Sequence, residues 1–141
     1  MRQQNPERLG YTKKDRMKNI YYIISEALLQ QQRGFVILVS VISPYVQMRK
    51  YAREKIKGFV EIFVRCPLAV CEARDVKGMY RLAREGKIRY FTGLSDPYEE
   101  PVNAEIVVDT EFLTVEGSAK KVIAYLENRK YVEKILYRDL H

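Results

Sequence analysis

At 141 residues the chain has the length of a single domain and can bury a core of its own. With 47% hydrophobic and 30% charged residues it does not have the composition of a disordered tract, and its longest apolar run, Phe35–Val39, is too short to span a bilayer. A net charge of +7 fits an anionic partner (a nucleotide, a nucleic acid, a membrane surface) or, more plainly, a generally basic surface.

Residues 1–11 are polar and aperiodic. Thr12 with Asp15 has nearly the form of a capping box, and Ile20, Ile23, Ile24, Ala27 and Leu28 recur at helical spacing. A helix is predicted from Thr12 to about Gln32, stopped by Gly34. Phe35–Val39 is continuous, β-branched and apolar, which predicts a strand buried on both faces of a parallel sheet. Pro44 cannot continue a ladder, so the chain leaves the sheet there. Ligands in open α/β sheets gather at the carboxyl ends of strands, which makes Ile42 and Ser43 site candidates. The plainer role for Ser43 is to cap the next helix.

Gln47–Lys57 reads as a charged helix broken by Gly58, and Phe59–Val64 as a second buried strand. Pro67 opens a short helix through Val70, Cys71 and Arg74. Asp75–Glu99 follows, with Lys77, Arg81, Arg84, Lys87 and Arg89 interleaved with Gly78, Gly86 and Gly93. It is too polar for a core and too bulky for a linker, and it is predicted to be a mobile, anion-gripping lid. The plainer alternative, a basic surface helix, has no use for the glycines. Ile106–Asp109 is a third short strand. A last helix opens at Val115 or Gly117, carries Val122, Ile123, Tyr125 and Leu126 on its apolar side, and runs to about Tyr131. Residues 132–141 extend it or fray. This alternation predicts one α/β domain, 1–141, with a mostly parallel sheet.

Three clusters can support chemistry. Arg16 and Asn19 share a helix face, and with Arg2 they suit an anion and a base or sugar edge; a solvated face is the plainer reading. Ile42 and Ser43 form the second. In the third, the basic residues of the lid can stabilise a transferring phosphoryl group, and Tyr90 and Phe91 can stack on a purine. Cys66 and Cys71 have no metal-spaced partners and the only histidine is His141, which argues against a metal site or a disulfide framework. No secretory pattern opens the chain, and a reducing cytoplasm is the expected compartment. No G-x-x-x-x-G-K-[ST] phosphate loop is present.

Four stretches together resemble a known family: LGYTKKDRMKN (Leu9–Asn19), VSVISPY (Val39–Tyr45), PLAVCEARDVKGMYRLAREGKIRYFTG (Pro67–Gly93) and DPYEEPVNAEIVVDT (Asp96–Thr110). In order and spacing they are similar to adenylylsulfate kinases (APS kinases). These P-loop enzymes phosphorylate the 3′-hydroxyl of adenosine 5′-phosphosulfate (APS) with ATP. The resemblance implies a P-loop kinase-like, three-layer α/β fold with a mostly parallel sheet, here without the N-terminal P-loop strand and second strand. The chain is thus expected to be an N-terminally truncated member whose sheet carries a slot where the central strand belongs.

The resemblance also implies roles. Arg2, Tyr11, Arg16, Asn19, Ile42, Ser43, Lys77, Tyr90 and Phe91 fall at APS-binding positions, with Tyr11 and Phe91 sandwiching the adenine. Tyr11 stands where Phe is more usual, which keeps the ring. Ser43 and Lys77 fall at positions tied to catalysis. Ser43 matches a serine described in some members as a phosphoserine intermediate, although in-line transfer between two bound nucleotides needs no covalent enzyme. Arg74 falls near the ATP adenine. ATP and Mg²⁺ are the implied cofactors, with the P-loop ligands for them absent from these residues, and a homodimer is the implied assembly. The alternative is a non-catalytic paralogue or subunit that binds APS or its 3′-phosphorylated product (PAPS). A nucleic-acid-binding domain is a weaker rival, since no recognised motif for it is present.

Overall fold

The fold is taken from a computed structural model, which describes residues 9–132. Seven elements follow in order: α1 (Lys13–Gln32), α2 (Val46–Lys55), β1 (Ile62–Arg65), α3 (Leu68–Arg74), α4 (Met79–Arg84), β2 (Ile106–Asp109) and α5 (Val115–Asn128).

Helix α1 starts where its local chemistry dictates. The Thr12 side chain accepts from the Asp15 amide at 3.2 Å, and its hydroxyl donates to the Asp15 carboxylate at 2.7 Å. Gly34, with φ +85°, ends the run in a conformation that costs a side-chain-bearing residue. One face of α1 buries Met17, Ile20, Ile23 and Ile24 against Tyr45, Met48 and Ala52 of the α2 region. Burying such side chains contributes roughly 1.5–3 kcal/mol each. Met48 has no exposed surface and sits at the centre of this cluster.

Helix α2 has no side-chain cap of its own. Its start is capped from far along the chain: the Val46 amide donates to the Glu99 carboxylate at 2.6 Å. An anion there satisfies an orphan amide and complements the helix dipole.

Strands β1 and β2 pair in parallel, with Ile62 opposite Ile106 and Arg65 opposite Asp109. Phe63, Ile106 and Val108 are buried, and Phe63 stacks on Tyr98 at 6.2 Å between ring centres. Arg53 on α2 ties this sheet to the helical layer, since Nη2 lies 3.1 Å from Glu61 and 2.9 Å from Glu105.

Two sequence expectations need correction. Phe59–Val64 forms a strand only from Ile62, and of β1 only Phe63 is buried. Phe35–Val39 is not a laddered strand. Among the described residues no backbone hydrogen bond joins Val36–Ile42 to a neighbouring strand, and Phe35 and Leu38 are 62% and 81% exposed. Its composition suits a central strand, but a strand exists only as part of a ladder, and β1 pairs on its other side with β2 alone.

Candidate nucleotide site

One large cavity, about 2560 Å³, runs from Tyr11 and the Tyr90–Phe91 pair down between Phe35–Ser43 and β1. Ordinary ligand pockets measure roughly 300–1,000 Å³. The void is therefore two things joined: a ligand-sized cleft at the top and a gap between the apolar Phe35–Val41 segment and β1 below.

Tyr11, Arg16, Ile42, Ser43, Arg74, Tyr90 and Phe91 all line the cavity. Asn19 lines a smaller neighbouring cavity, with Leu38 and Ser40, and Lys77 lines neither. Arg2 lies outside the described residues. Ser43 (φ +44°) and Tyr90 (φ +57°) have left-handed backbone, rare for non-glycine residues, and strain of this kind collects at functional sites.

Arg16 is buried, and much of its fork is committed. Nε donates to the Tyr11 carbonyl at 2.9 Å, Nη2 to the Tyr90 carbonyl at 2.6 Å, and Nε lies 3.6 Å from Asp96. Its guanidinium also lies 5.7 Å from the centre of the Tyr11 ring. Arg16 thus ties Tyr11 to Tyr90, the residue before Phe91, and Tyr11 and Phe91 are the two rings that the resemblance places around an adenine. Arg74 is similarly engaged, donating to the Thr110 carbonyl at 2.8 Å.

The segment expected to be a free lid has structure of its own. It contains α4, whose first amides are held by the Asp75 carboxylate: Tyr80 N and Arg81 N each donate to it at 3.0 Å. Two of its cations are paired locally, Arg84 with Glu72 and Lys87 with Glu85, both at 2.6 Å. Phe91 meets Tyr80 edge-on at 4.9 Å.

The far end of this segment is clasped to the Ser43–Tyr45 turn. The Tyr45 hydroxyl donates to Asp96 at 2.8 Å, and the Glu99 amide donates to the Pro44 carbonyl at 2.8 Å. Arg49 closes the clasp. It donates to the Ser43 carbonyl at 2.7 Å and the Glu99 carbonyl at 2.6 Å, with Nε 2.8 Å from Glu61. Burial, and then the bond to Asp96, push the Tyr45 hydroxyl up, so it stays a donor at neutral pH.

Arg49, Asp96 and Glu99 went unselected by the sequence reading. The one available signal was an arginine beside Met48 on the apolar side of a charged helix. No pattern of spacing announces that its partners lie some fifty residues downstream.

The acids here do not make a magnesium site. Asp96 is engaged by Tyr45 and Glu99 by Val46, and the described residues contain no group of three metal-ligating side chains. Among the described residues no helix is long and apolar enough to cross a membrane.

The fold is one that known proteins share. A family model described as adenylylsulphate kinase matches residues 1–109. An adenylyl-sulfate kinase of Halothermothrix orenii is 49% identical over 132 residues, covering 94% of this chain and 71% of its own length. One from Paraburkholderia xenovorans is 46% identical over 119 residues, covering 84% of this chain and 66% of its own length. Among solved structures, the Mycobacterium tuberculosis APS kinase CysC in complex with AMPPNP and APS superposes with a TM-score of 0.84 at 35% identity, covering 89% of this chain and 75% of that one. With a family model over most of its length and relatives near half identical, the chain belongs to the adenylylsulphate kinase family.

Proposed function

We propose that this chain carries the APS-binding side of an adenylylsulfate kinase, a phosphotransferase that converts ATP and APS to ADP and PAPS. The observation that carries this is the convergence of Tyr11, Ser43, Tyr90 and Phe91 on one cleft, with Arg16 bonded between the two aromatic segments. Tyr11 and Phe91 stack on the adenine. Arg16 ties the Tyr11 backbone to that of Tyr90, next to Phe91, and turns its charge toward the anionic part of the nucleotide. Ser43 and Ile42 border the cleft at the end of the apolar segment. The 75–99 segment acts as the lid, hinged on the clasp at Asp96 and Glu99. Lys77, outside the cavity lining, reaches APS only when that segment closes, and Asn19 and Arg2 complete the nucleotide contacts.

ATP is the phosphoryl donor, with Arg74 on its adenine side. These residues contain no G-x-x-x-x-G-K-[ST], so the donor's phosphates are not cradled by a P-loop within them. This favours a second reading for the chain on its own: APS binding without turnover. Loss of even one preorganised donor often costs about 10²–10³ in rate. A homodimer and a cytoplasmic location complete the proposal.

Isothermal titration of APS into the purified chain, with and without ADP, tests it. Micromolar binding is expected, with Phe91→Ala weakening it about 10- to 100-fold through lost stacking. A folded chain that ignores APS would sink the proposal. Turnover near ordinary kinase rates, roughly 1–100 s⁻¹, would instead remove the second reading.

A further inference from the structure

A cluster on α3 is not used by the nucleotide reading. Cys66 precedes the cap residue Pro67, and Cys71 is the fourth residue of the helix. Side chains at those two positions meet across the first turn, where an apolar pair commonly staples a helix start. Here the pair is two thiols, both half-buried and both on the cavity wall.

Their surroundings are polar and ordered. The Tyr80 hydroxyl and the Cys66 sulfur both lie close enough to Cys71 to act on its thiol. Cys71 Sγ also lies 3.9 Å from the Cys66 carbonyl oxygen. On the far side, Arg74 Nη1 donates to Cys66 Sγ at 3.7 Å. A staple needs neither the cation on one sulfur nor the hydroxyl on the other.

We propose that Cys66 and Cys71 form a reversible thiol–disulfide site that reacts with low-molecular-weight disulfides entering the cavity, Cys66 attacking and Cys71 resolving. Arg74 Nη1 sits against Cys66 Sγ and marks it as the attacking sulfur, while burial holds Cys71 as a thiol until it is needed. In the first step the Cys66 thiolate attacks one sulfur of R–S–S–R. A Cys66–S–R bond forms, and R–S⁻ leaves and takes a proton. In the second, Cys71 gives up its proton and attacks the Cys66 sulfur, forming the Cys66–Cys71 bond and releasing a second R–SH. The protein is oxidised by two electrons and the small disulfide is reduced by two. The consequence reaches the cleft, because Cys71 interacts with the Tyr80 hydroxyl and the Tyr80 ring abuts Phe91.

The test is to incubate the whole chain with glutathione disulfide, quench in acid, digest with trypsin and weigh the Cys66–Arg74 peptide. The expected product is the peptide lighter by two hydrogens, restored by dithiothreitol. Cys71→Ser should instead accumulate a stable glutathione adduct on Cys66. Cys66→Ser should form its adduct at least about tenfold more slowly. Adducts on both cysteines of the wild-type chain with no internal bond would overturn the proposal. So would thiols that react only after denaturation, and this reading needs no variant to fold. Equal rates for the two single variants would overturn the assignment of Cys66 as the attacking group.

Discussion

Two regions of this molecule have opposite chemistry and opposite degrees of completion. The clasp around Arg49 is polar and closed: its fork, the Tyr45 hydroxyl and the Glu99 carboxylate all find partners. The Phe35–Ile42 segment is apolar and open, with large side chains exposed and no ladder among the described residues. The difference shows what each kind of structure needs. A hydrogen-bonded clasp is satisfied by a few groups placed well. A buried strand needs a neighbour along its length and a layer over each face. The 75–99 side of the cleft is therefore built, while the layer beneath it holds a gap.

The sharpest way to break this contrast is Arg49→Met. Glu61 is left as a half-buried acid without this partner, and the carbonyls of Ser43 and Glu99 lose their donor, at an expected cost of about 3–5 kcal/mol. Denaturant unfolding measures the loss, and limited proteolysis should show earlier cleavage near Glu99. A variant as stable as the parent would mean that the clasp is incidental.

A smaller effect is expected at the Arg53–Glu105 pair, which joins α2 to the sheet. The bond from Arg53 is the main cause that lowers the Glu105 carboxyl from an ordinary 4.5 to about 2. A depressed acid stabilises the fold above its unfolded value and loses that contribution as pH falls. The stability is thus present above about pH 4.5 and fades toward about pH 2. Glu105→Gln should lower stability at neutral pH by about 1–2 kcal/mol, allowing for solvent screening of the exposed Arg53, and should flatten the acid limb. An unchanged acid limb would show that other carboxylates set it.

The smallest effect is expected in the open region. Leu38 is 81% exposed, so Leu38→Ser should move stability by no more than about 0.5 kcal/mol in either direction. A loss of about 3 kcal/mol in the same unfolding assay would show that Leu38 is covered in solution and that the open side is closed there.

Much of the local architecture was legible in the residues. The Thr12 cap, the Gly34 and Gly58 stops, the Pro67 start and the Ile106–Asp109 strand each depend on a few neighbouring residues, and each appears within a few residues of its expected place. Tyr11, Ile42, Ser43, Tyr90 and Phe91 were likewise legible as candidates, and all line one cavity.

Other features were decided only by the tertiary structure. Arg16 and Asn19 share a helix face in the sequence, yet Asn19 lines a different cavity and Arg16 gives much of its fork to backbone carbonyls. Arg49 looked like one charge among many on α2 until Ser43 and Glu99 were brought to it. Caps and turns are fixed by groups a few residues apart, so the sequence determines them by itself. Whether an arginine is free for a ligand, or an apolar run finds a sheet, depends on groups tens of residues away, and only folding brings those together.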